Sequence, residues 1–207
     1  MNFWESKFRE VGTMWKFEPS DSAIVALEIF KEYGINNILI PGFGYGRNAR
    51  LFYDAGLTVT GIEISETAIK LARENGLECI VHHGSVLNMP FDDLEYNGIF
   101  CYALLHLFSR PERKKFLLAC YQQLSHDGWM IFTVVSPKAE MYGNGVLVSK
   151  NRFRITNGLN VYFYDNEAIK LEFGAFGLTE IRELDEPIKF MTGHEPLKCI
   201  LVICRKH

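Results

Sequence analysis

Apolar and polar positions alternate along this chain in two periods that take turns. Residues 20–33, SDSAIVALEIFKEY, open with cap-type polar residues and continue as an apolar-rich helix closed by Gly34. Asn37–Pro41 follows as a short buried strand, then a glycine-rich loop, then a helix to about Ala55 that Gly56 stops. Leu57–Ile64 is rich in β-branched residues and reads as a second strand. Ser65 caps a helix over ETAIKLAREN that ends at Gly76. Glu78–His82, Asn97–Ala103 and Trp129–Val135 supply three further strands, the last strongly apolar. Between the last two, Ser109 and Glu112 form a capping box with Pro111 in the first turn, opening a helix to Leu124, and HDG at 126–128 makes a turn. Five strand–helix alternations predict a mostly parallel sheet covered on both faces.

The pattern changes after Pro137. Residues 138–150 read as loop. Arg152–Ile155 and Val161–Tyr164, separated by TNGLN, read as a hairpin. A helix near Asn166–Phe176 and two last strands, Leu178–Leu184 and Lys198–Cys204, close the chain with a hairpin-like return. The expectation is an α/β, doubly wound, mostly parallel seven-stranded sheet with a C-terminal antiparallel hairpin. It forms one domain over residues 1–207, with a lead segment at 1–20 and a loop and hairpin insertion at 137–165.

Composition narrows the function classes. A chain of 207 residues, 48% hydrophobic and 23% charged, can build one good core. A net charge of −3 gives no electrostatic drive toward nucleic acid or anionic membranes. The basic group Arg110, Arg113, Lys114 and Lys115 reads as a solvated helix face. No apolar run reaches the roughly 18 residues that span a bilayer. MNFWESKFREV lacks the apolar stretch of a signal peptide, so a cytoplasmic location is expected. Five widely spaced cysteines without a C-x-x-C pair read as free thiols. His82 and His83, adjacent on a strand, point to opposite faces, so no metal site is expected there.

Ligands of open α/β sheets sit beyond the carboxyl ends of the strands. After the first strand stand Gly42, Gly44 and Gly46 at alternate positions, where missing Cβ atoms permit a sharp turn and close approach of a ligand to the main chain. The second strand delivers Glu63, an acid about 20 residues on that can accept both hydroxyls of a ribose. Alone, the glycines fit a plain tight turn and Glu63 an exposed charge; together they point to a ribose-containing cofactor. A dinucleotide fold calls for G-x-G-x-x-G, whereas here the third glycine comes one position earlier and Arg47-Asn48 follows.

The run ILIPGFGYGRNARLFYDAGLTVTGIEIS resembles motif I and the acidic strand-two end of class I S-adenosylmethionine-dependent methyltransferases. Within that class it is most similar to the tellurite-resistance and thiopurine small-molecule methyltransferases. GSVLNMPF, YNGIFCYALLHLF and SHDGWMIFTVV resemble the adenine loop, the strand-four segment and the fifth strand of that group, and FWESKFREVGTMWKFEPSDSA its cofactor-covering lead. The resemblance implies the Rossmann-like methyltransferase fold, with S-adenosyl-L-methionine as cofactor and S-adenosyl-L-homocysteine as its product. It implies that Gly42, Phe43, Gly44, Gly46 and Arg47 lie along the methionine part and that Glu63 holds the ribose. Ile64 and Ser65 follow Glu63, with Ile64 packing on the adenine, whose edge meets Ser85 and Val86. Cys101 and Tyr102 would border the ammonium and sulfonium, and Trp15 would cover the cofactor. Two positions depart from the family: Ile40 where an acid is usual, and Ser85 where Asp is frequent.

Methyl transfer is an in-line displacement at carbon, so alignment is the main task; it can supply roughly 7–11 kcal/mol. His106, after strand four, is the candidate general base or substrate contact, against a reading as a packing histidine. Tyr142 is a candidate wall of the acceptor pocket. Lys150, Arg152 and Arg154 alternate as one face of the hairpin, either a solvated face or an attraction for an anionic substrate. Tyr162, Phe163 and Tyr164 read as core and cross-strand packing. The expected partner is a small-molecule methyl acceptor, without nucleic acid or membrane, and the protein a monomer or homodimer. A non-catalytic S-adenosylmethionine-binding protein and an NAD-dependent oxidoreductase are the alternatives.

Overall fold

The computed structural model describes residues 3–156, 158–187 and 195–207. Its elements begin with α1 (Phe3–Val11), α2 (Asp21–Glu32), β1 (Asn37–Pro41), α3 (Arg47–Asp54), β2 (Thr58–Glu63), α4 (Glu66–Glu74), β3 (Ile80–His83) and β4 (Tyr96–Tyr102). They continue with α5 (Arg110–Gln123), β5 (Leu124–Val135), β6 (Val146–Ser149), β7 (Arg152–Arg154), β8 (Asn160–Tyr162), α6 (Asn166–Phe173), β9 (Leu178–Glu186) and β10 (Leu197–Arg205). The main sheet has seven strands in the order β3-β2-β1-β4-β5-β10-β9. The first five are parallel to their neighbours, and β10 runs antiparallel to both β5 and β9. This is the doubly wound sheet with a C-terminal antiparallel pair that the periodicity predicts. Strand order reverses between β1 and β4, which opens a crevice at their carboxyl ends.

Side-chain parity divides the core into two layers. In β4, Phe100 joins Phe30 of α2 and Phe52 of α3 on one face, with ring centroids 5.3 Å apart for Phe52–Phe100 and 5.8 Å for Phe30–Phe52. Its neighbours Ile99 and Cys101 point to the other face, where Phe116 of α5, Phe132 of β5 and Phe173 of α6 pack edge to face. Arg113, 3% exposed, bolts α5 to α6: its Nη2 donates to Glu172 at 2.6 Å, and its guanidinium lies 3.9 Å from the Tyr162 ring centroid. Arg113 therefore leaves the solvated basic face expected of 110–115.

Several boundaries differ from expectation for local reasons. The third strand starts at Ile80, where pairing with Thr60 begins. Leu124 already pairs with Tyr96, so the HDG turn is a bulge inside β5, with Asp127 at a φ of +60°. Residues 138–150 are not all loop: Val146–Ser149 pairs with β7, and β6-β7-β8 form a separate three-stranded antiparallel sheet. Asn151, at a φ of +59°, turns the chain before Arg152, so Lys150 falls in the turn and the basic alternation breaks. Within TNGLN, Asn157 lies outside the described residues. Among those residues, no helix is long and apolar enough to cross a membrane.

Candidate active site

A cavity of about 490 Å³ opens at the carboxyl ends of β1, β2 and β4. Ile40, Gly42, Phe43, Gly44, Tyr45, Arg47 and Asn48 line it from the first loop, with Ile62, Glu63 and Ile64 from β2. Gly84, Ser85, Val86 and Leu87 come from the segment after β3, and Tyr102, Ala103 and Leu104 from the end of β4. Phe3, Trp4, Phe8 and Trp15 cover it from the N-terminal segment, and Leu107, Phe108, Glu112 and Leu159 complete the lining.

The loop is sewn to the second strand. Gly42 and Phe43 both donate their N–H groups to the Ile62 carbonyl, at 2.9 and 3.0 Å. Gly42 has a φ of +73°, and a Cβ there would stand 2.9 Å from Leu104 Cδ2. A Cβ on Gly44 would meet nothing nearer than Phe8 Cζ at 4.0 Å, so this position presents bare main chain to the cavity. Glu63, 6% exposed, accepts from Gly44 N at 2.7 Å with Oε2, and from Ile64 N and Ser65 N at 2.9 Å with Oε1. Burial pushes its pKa up, while these three N–H groups and the nearby His83 oppose the shift. Oε1 is filled by two of these bonds, and Oε2 retains one lone-pair site.

Ten of the residues singled out from the sequence line this cavity: Trp15, Gly42, Phe43, Gly44, Arg47, Glu63, Ile64, Ser85, Val86 and Tyr102. Trp15 stacks on Tyr45 with centroids 6.4 Å apart, and its main-chain N–H donates to the Tyr45 hydroxyl at 3.0 Å. Arg47 lies over the Tyr102 ring, 5.3 Å from its centroid. Ser85 caps a short 3-10 turn, accepting from Leu87 N at 3.3 Å.

Five residues are placed elsewhere. Gly46 is the left-handed N-cap of α3, packed against Leu77 and Phe43. Ser65 is fully buried as the N-cap of α4, donating to Glu5 and accepting from Ala68 N. Cys101 faces the α5 layer because the strand pleat turns it away when Tyr102 faces the crevice, and burial raises its thiol pKa. His106 is buried in a 3-10 turn that presents Leu104 and Leu107 to the cavity; burial lowers its pKa to about 4, and its Nδ1 has no hydrogen-bond partner among the described residues. Tyr142 packs on Phe153 and Phe163 and donates to Asn151 Oδ1 at 3.1 Å, bracing the small sheet. His82 and His83 do point apart, to Asp92 and to the Ile64 carbonyl.

Residues the sequence reading missed include Phe3, Trp4 and Phe8. Trp4 and Phe8 sit four apart on α1, a spacing that could have shown them as one face. Glu112 was legible only as a capping residue.

Residues 38–128 match the methyltransferase domain family. The fold is that of S-adenosylmethionine-dependent methyltransferases. Among solved structures with this methyltransferase fold, the chain is similar to Burkholderia thailandensis 1,6-didemethyltoxoflavin-N1-methyltransferase, bound to 1,6-didemethyltoxoflavin and S-adenosylhomocysteine. The TM-score is 0.72 at 17% identity, covering 97% of this chain and 84% of that one. The CcbJ methyltransferase of Streptomyces caelestis gives 0.73 at 16% identity, covering 98% and 97%. A curated relative, the glycine/sarcosine/dimethylglycine N-methyltransferase of Actinopolyspora halophila, is 26% identical over 168 residues, 72% of this chain. The matched stretch spans 30% of that protein's length. The domain match covers 91 of the 207 residues, and the likeness to these structures shows the fold.

Proposed function

We propose that this chain transfers the methyl group of S-adenosylmethionine to a small molecule by in-line displacement. The observation that carries this reading is the Glu63 carboxylate, fixed by Gly44 N–H in the wall of a cavity with bare main chain beside it. That combination suits an adenosyl ligand with an amino-acid tail. Glu63 Oε2 would accept from a ribose hydroxyl, and Ile64 and Val86 would offer apolar surface to the adenine, with Ser85 at its edge. The main chain at 42–44 would meet the methionine part. Ile40 stands where an acid is usual, which leaves the ammonium to main-chain carbonyls or water. The sulfonium supplies an electrophilic methyl. The chain's own residues align the acceptor and exclude water: Trp4, Phe8 and Trp15 form an aromatic cover, and such faces attract a cation.

The likeness of 38–65 to the tellurite-resistance and thiopurine enzymes, and the small acceptors in the names of the relatives, favour a small-molecule acceptor over a macromolecule. His106 is not assigned a base role, since it does not line the cavity and is neutral at pH 7. A soft or uncharged nitrogen nucleophile needs no strong base.

Thermal-shift titration with S-adenosylhomocysteine and, in parallel, NAD tests the cofactor, because a ligand of the folded state raises its apparent stability. A rise with S-adenosylhomocysteine alone is expected; a rise with NAD alone refutes the assignment. Transfer of a labelled methyl group to a metabolite mixture then separates an enzyme from a binding protein.

A further inference from the structure

Leu104, Leu107 and Phe108, around the 3-10 turn after β4, and Leu159, in the same apolar cluster as Leu107, form an apolar part of the cavity lining. Glu112 stands among them. Its Oε2 takes both bonds of the capping box, from Ser109 N at 2.7 Å and from the Ser109 hydroxyl. Among the described residues none donates to Oε1. The Ser109 bonds, with the attraction of Arg152, hold the carboxyl below its ordinary range, so it is ionised at neutral pH.

The neighbouring cations do not neutralise this charge by direct contact. Arg113, one residue on, is committed to Glu172. Arg152 acts on Glu112 through space, without an ion pair within 4 Å among the described residues. Its Nη2 donates to the Leu107 carbonyl at 3.4 Å, and Arg113 repels it. An ionised oxygen against an apolar wall is costly to desolvate unless a ligand brings a donor to it.

We propose that this part of the cavity recognises acceptors that carry a protonated amine or comparable N–H donor on an apolar or aromatic frame, with Glu112 as the partner and specificity-determining residue. The inference rests on the methyltransferase reading above, and the donor group is distinct from the atom that is methylated. Arg47, the basic group in the wall, is engaged over Tyr102. A carboxylate acceptor would set a second negative charge beside Glu112.

The test uses two probes with one frame and opposite charge, 2-phenylethylamine and 3-phenylpropionate, titrated by calorimetry into the full chain saturated with S-adenosylhomocysteine. The amine should bind about tenfold more tightly than the carboxylate, the scale of one charge-assisted hydrogen bond. Glu112→Gln removes the charge but keeps a capping-box residue, since Gln serves that role as Glu does. The variant should melt at the parent temperature and lose the preference. Tighter binding of the carboxylate points to Arg152 instead and overturns the proposal. So does absence of amine binding at millimolar concentration, or a preference that survives in Glu112→Gln. The comparison in the unaltered chain stands even where the variant fails to fold. If S-adenosylhomocysteine itself does not bind, the cofactor reading falls and takes this inference with it; if it binds and the amine does not, this inference alone falls.

Discussion

The Glu63 carboxylate and the Gly44 main-chain N–H lie 2.7 Å apart, joining the end of the second strand to the glycine loop that follows the first. The same carboxylate takes the N–H groups of Ile64 and Ser65, so it fixes the entry to α4 as well. Glu63→Ala therefore removes a ribose partner and loosens the loop beside it. S-adenosylhomocysteine affinity should fall by about 1.5–3 kcal/mol, roughly 10–150-fold in Kd. Calorimetry measures it, and unchanged affinity would take Glu63 out of the site.

Gly61 tests how firmly the loop is seated. A Cβ at this mid-strand position would stand 2.3 Å from Phe43 Cδ2, so the Phe43 ring occupies the place a side chain would fill. Gly61→Ala should cost about 1–3 kcal/mol from overpacking, a fall in Tm of roughly 2–12 °C, and weaken cofactor binding because Phe43 also lines the cavity. Phe43→Ala in the same chain should recover part of the stability. Additive losses in the double variant would show that the two residues do not compete for one space.

The parallel sheet was legible because its signals are local: apolar strands, caps at Ser65 and Ser109, and glycines at turns. Glu63 and the loop were legible because the crevice rule fixes where strand ends meet. Cys101 and Tyr102 show the limit. They are adjacent, and the parity of the pleat decides which of them faces the ligand; the sequence pattern of a strand buried on both faces does not reveal that parity. His106 lies off the cavity lining for the same kind of reason, since a 3-10 turn presents its neighbours to the cavity. β6 was missed because Val146, Leu147 and Val148 are exposed and show no alternation to mark a face. The recognition role proposed for Glu112 could not be seen at all in a residue already explained by its cap.

His106 predicts a pH effect on stability. Its pKa falls from 6.5 to about 4 in the folded chain because burial disfavours the imidazolium. Between those values the unfolded chain binds a proton that the folded chain does not, so stability declines as pH drops through that window. The whole effect amounts to about 3 kcal/mol. Chemical denaturation at pH 7.5 and pH 4.5 should show the loss in the parent chain and a smaller one in His106→Leu. Turnover of His106→Leu should persist at pH 8; its disappearance would return the histidine to the chemistry.

Glu5 governs the aromatic cover. Its carboxylate accepts from Ser65 Oγ at 2.6 Å, Thr67 Oγ1 at 2.7 Å, Thr67 N at 3.2 Å and Arg9 Nε at 2.7 Å, tying α1 to the start of α4. The Ser65 and Thr67 bonds, the largest causes, lower its pKa from 4.5 to about 2. A depressed carboxylate pKa stabilises the docked helix above pH 4.5, and that stabilisation drains away as pH falls toward 2. Trp4 and Trp15 report the docking, since both pack in the α1 cluster over the cavity. Their fluorescence should change between pH 4.5 and pH 2 in the parent chain. Glu5→Ala should show the undocked signal already at pH 7, with faster release of S-adenosylhomocysteine in stopped flow. A variant that releases the ligand at the parent rate would mean that this latch does not hold the cover closed.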